Sequence, residues 1–404
     1  MGVDDRSSRL NRSSVPGGRR RFLRLSVGLP VGLSGWLANG CSSPGSGGST
    51  RTGAGPDPTA AAGDAIVVPK VNGGMNVHSL RCLSCAPTDE TIDPALVALQ
   101  LSAVYELGFD GIRIAAPFGD RNTFLSTVAY VRAARAVGID AVVLLADFSG
   151  FTLAHALHGD ESRPTVLKMY ADVLAIPPEP TAPALGGLGP KGVGRIAFQI
   201  LNEPAAFLGL PPDVYVQEIL NPCFGDLGRI DPRIIVVSAA EVGNKAGPAR
   251  IRAMLEAGLE TTTNRIAYHI YERDVIPLLP SHVRAVVWVT ESGVAGIPQH
   301  LPWVRDVFPE IRAQLPDVLR IFYYDLFDSD QGVYRILDIQ PAGEGYRAVV
   351  ESTELHDYWA DKVGAAAAGR PLVGFSTLIP DVRAYFPTPA DAAAFDEAFA
   401  EATR

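Results

Sequence analysis

Cysteine is scarce, basic charge is in deficit, and the body of this 404-residue chain contains no run of eighteen uninterrupted apolar residues. The missing apolar run excludes an internal membrane-spanning helix. The charge deficit is deeper than the whole-chain net of −9 conveys. Seven arginines and two aspartates fall within residues 1–40, so the remainder carries 28 basic against 42 acidic side chains, a net of −14. An acidic body of this kind repels polyanions and argues against nucleic acid as a partner, whereas neutral polymers are compatible. Of the four cysteines, Cys82 and Cys85 form a C-x-x-C, Cys223 stands alone, and Cys41 lies near the N-terminus. A zinc site would need a fourth ligand at suitable spacing, which no pattern supplies. One disulfide among Cys82, Cys85 and Cys223, or free thiols, are the readings left open. A phosphate-binding loop is also missing. The stretch GGLGPKGVG, Gly186 to Gly194, precedes a strand instead of following one and lacks G-x-x-x-x-G-K-[ST].

The N-terminus carries a different signal. RRRFLRL, Arg19 to Leu25, leads into the weakly apolar SVGLPVGLSGWLANG and then Cys41. A basic region, a short apolar region and small residues before a break describe an export signal over residues 1–40, resembling the twin-arginine type. LANGC resembles a lipoprotein cleavage box with Cys41 as the lipidated residue, although Ala38 and Asn39 depart from the usual pattern. The alternative is ordinary cleavage nearby, with Cys41 unmodified. Residues 41–65 are a Gly/Ser/Pro/Ala tether with nothing to bury. The expected location is the cell surface or periplasm, with a lipid anchor holding the chain to the membrane.

From residue 66 to 404 a single domain is expected. With 47% apolar residues the chain can bury a large core. Short β-rich runs recur at 73–80, 109–115, 139–146, 194–202, 233–240, 264–271, 284–291 and 320–327. Helix-length segments lie between them. Asp93-Pro94 starts one and Gly108 ends it; Phe124, Val128, Val131 and Ala134 mark another, and Leu301, Val304, Val307, Ile311 and Leu315 a third. Strands that are nearly continuous Val, Ile, Leu and Ala predict burial on both faces, as in a parallel sheet covered by helices. Eight strand–helix units predict a closed (β/α)8 TIM barrel. A doubly wound open sheet is the alternative, but no Gly-rich turn follows the first strand. Beyond the eighth unit, AFDEAFAEA reads as a short amphipathic helix packed on the barrel.

Barrel chemistry sits at the C-terminal ends of the strands. Those ends offer Arg113 on the second strand, Asn202 and Glu203 on the fourth, His269 and Tyr271 on the sixth, and Glu291 on the seventh. The eighth offers Tyr323, Tyr324 and Asp325. Asn76, His78 and Asp147 are candidates for the rim. Carboxylates on strands four and seven would face each other across the barrel mouth, the arrangement that glycoside hydrolysis requires. Glu291, beside Arg113 and a tyrosine hydroxyl, would stay ionised, and Glu203 would stay protonated. Two carboxylates need no cofactor and no metal.

The set N-E-P after strand four, H-x-Y on strand six and T-E-x-G on strand seven resembles the clan A retaining glycoside hydrolases, which include family five cellulases and mannanases. The phrase FYYDLFD also looks like family thirty-nine. The resemblance spans roughly residues 70–365. It implies Glu203 as acid/base, Glu291 as nucleophile, and Asn202 on the sugar 2-hydroxyl. It also implies that Arg113 and Tyr271 hold the nucleophile and that His269 stands near the acid/base. Two features depart from the family pattern. The histidine pair after strand three is replaced by ADFSGF, and the strand-eight tryptophan by Tyr324. The expectation is a monomeric retaining glycosidase acting on a neutral poly- or oligosaccharide. An inactive glycan-binding barrel lipoprotein and a transglycosylase stand as alternatives. No separate carbohydrate-binding module is visible. HALHGDES, with His155 and His158, is expected to be a solvated loop.

Overall fold

The computed structural model describes residues 71–77, 101, 104, 107–118, 121–136, 138–146, 152–175, 194–328, 331–342 and 345–363. The export signal, Cys41, the tether, His78, Cys82, Cys85, Asp93-Pro94, Asp147 and the AFDEAFAEA tail lie outside these residues.

Eight parallel strands close into a barrel in simple sequence order, β1 to β8. They are β1 Val71–Asn76, β2 Phe109–Pro117, β3 Asp140–Ala146, β4 Ile196–Ile200, β5 Ile235–Val237, β6 Arg265–Ile270, β7 Val286–Ser292 and β8 Val318–Tyr323. Closure is made by β1 pairing with β8, Gly74 opposite Phe322 and Met75 opposite Tyr323. The (β/α)8 expectation therefore holds. Strand alternation sorts side chains into two layers. Outward residues such as Ile112, Val143, Phe198, Ile266 and Val289 pack into the large core beneath the helices. Inward residues Val142, Ala197, Val237, Ala240, Ala267, Trp288 and Phe322 fill the barrel itself. Three alanines leave room for the two large rings. Gly74 is required for the same reason, because a Cβ there would lie 2.1 Å from the Phe322 ring.

Three local readings are corrected. In sequence, residues 328–346 read as one of the loops after the strands on which sugar specificity depends. Most of that segment belongs to a sheet of β9 Phe327–Asp328, β10 Tyr334–Ala342 and β11 Gly345–Ser352, with β10 and β11 antiparallel. His155 and His158 lie on the helix Thr152–His158, not in a loop, and His158 Nε2 meets Glu218 Oε2. Tyr323 does not reach the barrel mouth. Its inward neighbour is Phe322, while Tyr323 packs edge-on to Trp359 at 5.4 Å and donates its hydroxyl to Gln331 O.

Cys223 is a buried free thiol on the helix Asn221–Ile230, and burial raises its proton affinity far above the usual range. It is an inert part of the core.

Candidate active site

The barrel mouth is organised around one guanidinium. Arg113 shares inward parity with Gly111 on β2 and is 4% exposed, so its charge needs buried acceptors. It has four. Its Nε donates to Gln199 Oε1 at 2.7 Å, one terminal nitrogen donates to Glu291 Oε1 at 2.6 Å and to Asn76 Oδ1 at 3.0 Å, and the other donates to Asn202 Oδ1 at 2.9 Å. Asn76 is fixed in turn by donating to the carbonyls of Thr290 and Tyr323. Side chains from β1, β2, the end of β4 and β7 are thus locked into one network.

Glu291 reaches this network through an irregularity. On β7, inward parity runs Val286, Trp288, Thr290, which would turn Glu291 outward. The pairing register with β6 shifts between Tyr268 and His269, so that Val289 lies opposite Tyr268 but Glu291 lies opposite His269. Thr290 is the extra residue, and the bulge re-aims Glu291 into the barrel. There Tyr271 donates its hydroxyl to Glu291 Oε2 at 2.6 Å. Burial pushes the Glu291 carboxyl upward, but His269, Arg113 and the Tyr271 hydroxyl outweigh it and hold the group below the usual carboxylate range. The Tyr271 hydroxyl, buried and facing that charge, is held well above its ordinary value and stays protonated.

Glu203 approaches from the opposite wall. Leu201 and Glu203 both take left-handed backbone conformations, φ 64° and 43°. Such conformations cost of order 1–3 kcal/mol each and need surrounding structure to hold them. The holding contacts are visible. Glu203 donates its N–H to Ala240 O, and Tyr215 bridges β4 to β5 by donating to Ile200 O and accepting from Ala239 N–H. The turn delivers the Glu203 carboxyl to His269, whose Nδ1 lies 2.7 Å from Oε1. His269 Nε2 lies 3.4 Å from Glu291 Oε1, so one imidazole stands between the two acids. An oxygen of Glu203 and an oxygen of Glu291 lie within 4.8 Å of each other. Both side chains are 11% exposed, open to the mouth but shielded from bulk water. Tyr324 completes the wall, its ring edge-on to Tyr271 at 6.2 Å.

No protein-family model matches the chain, and no curated protein matches it in sequence. Solved structures with a similar fold include an endo-1,4-beta-mannanase from Rhizomucor miehei, with 14% identity and a TM-score of 0.45 over 63% of this chain and 86% of that one. The hyperthermostable endo-1,4-beta-D-mannanase from Thermotoga petrophila gives 13% and 0.45 over 72% and 98%. The catalytic domain of xylanase C from Talaromyces cellulolyticus gives 11% and 0.44 over 71% and 73%. The chemistry of the site rests on its own geometry.

That geometry brings together Asn76, Arg113, Asn202, Glu203, His269, Tyr271, Glu291 and Tyr324. Glu203, His269 and Glu291 also present one potential metal ligand each. The surroundings disfavour a cation there, because the fixed charge of Arg113 lies on Glu291 Oε1 and the Tyr271 hydroxyl occupies Oε2. Two members were not foreseen. Gln199 shares inward parity with Ala197, and a polar residue at that position inside an apolar strand was a legible sign. Glu241 follows Ala240 at the end of the fifth run, the same strand-end position that marked the other acids.

Proposed function

We propose that this chain is a retaining glycoside hydrolase acting on a neutral oligo- or polysaccharide. The observation that carries the reading is the separation of the two carboxyl groups. Oxygens within 4.8 Å of each other suit the roughly 5–5.5 Å spacing of double displacement better than the about 6.5–9.5 Å that inversion uses. The assignment of roles follows from the environment. Glu291 is held ionised and is the nucleophile; Glu203, off the guanidinium, is the acid/base.

In the first step Glu291 attacks the anomeric carbon while Glu203 gives its proton to the departing glycosidic oxygen. The sugar–oxygen bond breaks and a glycosyl ester forms on Glu291. In the second step Glu203 takes a proton from water, the hydroxide attacks the same carbon, and the ester bond to Glu291 breaks. Asn202 commits its Oδ1 to Arg113, which leaves its Nδ2 hydrogens for the 2-hydroxyl of the bound sugar. The net charge of −14 past residue 40 favours uncharged glycans. From the sequence pattern of residues 1–41 we further propose that the chain is exported and tethered through lipidated Cys41, and that it acts outside the cytoplasm as a monomer.

The test uses Glu203→Ala on whichever aryl glycoside the wild type cleaves. Loss of a general acid is expected to cost about 10²–10⁴-fold on poor leaving groups and little on activated ones. Azide should restore turnover by yielding a glycosyl azide of unchanged anomeric configuration. An azide product of opposite configuration would overturn the reading.

A further inference from the structure

We infer that Glu241 is a positioning residue for Glu203: from the segment after β5 it clasps the left-handed turn and sets a second carboxylate behind the acid/base. The inference rests on the role proposed for Glu203. Glu241 is 2% exposed, and its carboxylate is fully enclosed. Its main chain follows Ala240, whose carbonyl accepts the Glu203 N–H at 3.0 Å. Its side chain reaches past the turn, where Oε1 accepts from Ala205 N–H at 3.4 Å. The segment Glu203-Pro204-Ala205 is therefore gripped on both sides by residues 240 and 241.

The enclosed carboxylate is poorly compensated. Its only charged partner among the described residues is Arg250, on the helix Gly247–Glu256, at a long 3.4 Å from Oε2. Burial raises the Glu241 carboxyl, and the negative charge of Glu203 raises it further, against the opposing pull of Ala205 N–H and Arg250. The groups facing Glu203 are His269 from β6, Glu291 from β7 and Glu241 from the segment after β5, with Arg113 of β2 one residue away through Asn202. Two of these are like charges. Glu291 is consumed as an ester during the reaction, whereas Glu241 takes no part in bond making and stays behind the turn. A general acid must recover its proton every cycle, and a neighbouring carboxylate favours that recovery.

Glu241→Gln keeps the amide oxygen for Ala205 and removes the charge. The basic limb of the kcat/KM profile should then move to lower pH by about one unit, a tenfold loss at fixed pH above the limb. Labelling of Glu291 by a dinitrophenyl 2-deoxy-2-fluoro glycoside, which needs no acid, should be unchanged. Titration of the Glu203 carboxyl by ¹³C NMR in both proteins should show the same downward movement without any substrate. Folding stability supplies a further readout. A carboxyl whose folded proton affinity is raised loses stability as pH climbs from its unfolded value through its folded one, so the Gln variant should melt higher than wild type at pH 7 but not at pH 4. A limb and a Glu203 titration that do not move in an active, folded variant would overturn the inference while leaving the glycosidase reading intact. A wild type inert on every glycoside would remove that reading, and the NMR titration would still decide whether Glu241 acts on Glu203.

Discussion

Replacing Tyr271 with Phe removes one hydroxyl and almost nothing else. The ring keeps its edge-on packing against Tyr324, and no cavity larger than an oxygen atom is left. What disappears is the 2.6 Å hydrogen bond to Glu291 Oε2, made to the ionised carboxylate. Bonds to charged groups contribute about 1.5–3 kcal/mol. At about 1.36 kcal/mol per pK unit, the proton affinity of Glu291 should rise by roughly one to two units. The direction follows from the balance at that carboxyl, where burial acts upward and His269, Arg113 and Tyr271 act downward. Removing one of the downward influences shifts the acid limb of kcat/KM to higher pH and leaves the basic limb in place. The assay is a pH profile on an activated aryl glycoside. Turnover that falls equally at every pH, with the acid limb unmoved, would refute the argument and move the Tyr271 hydroxyl from the carboxylate to the sugar.

Further outcomes follow from the same contacts. Arg113→Met should destabilise the fold by about 3–5 kcal/mol at pH 7, since it strands a buried carboxylate and three polar partners. Glu291 sits below its unfolded value, so its ion pair stabilises above about pH 4 and is lost as pH falls through the folded value; urea unfolding of the two proteins should converge in acid. Tyr215→Phe leaves Ile200 O and Ala239 N–H without the hydroxyl that joins β4 to β5, and should cost about 1–3 kcal/mol in thermal unfolding. An unchanged melting temperature there would show that the Glu203 turn is held by other contacts.

The barrel was legible because its strands are short, apolar on both faces and separated by helix-length segments. Boundaries drifted where polarity misled. The fifth strand was read as 233–240 but pairs only over Ile235–Val237, since Ser238 to Glu241 turn toward the mouth. The hairpin after β8 was missed, although YRILDIQPA and GYRAVVES are each of strand length and closely spaced. The polar residues interspersed along both runs read as loop. Strand-end position pointed to Arg113, Asn202, Glu203, His269, Tyr271 and Glu291. Parity alone would have turned Glu291 away from them. Only the Thr290 bulge, which depends on pairing between β6 and β7, directs it inward. The four-way clasp on Arg113 was likewise beyond reach, because Gln199 and Asn76 meet it from separate strands. Glu241 was passed over because it lies four residues beyond the last paired residue of β5, in a segment that no strand period places.

Trapping the glycosyl ester tests the central claim most directly. Incubation with an activated 2-deoxy-2-fluoro glycoside that the protein accepts, followed by intact-mass and peptide analysis, should show one sugar bound through the side chain of Glu291. Label on another residue, or hydrolysis that proceeds with inverted configuration and no adduct, would contradict it.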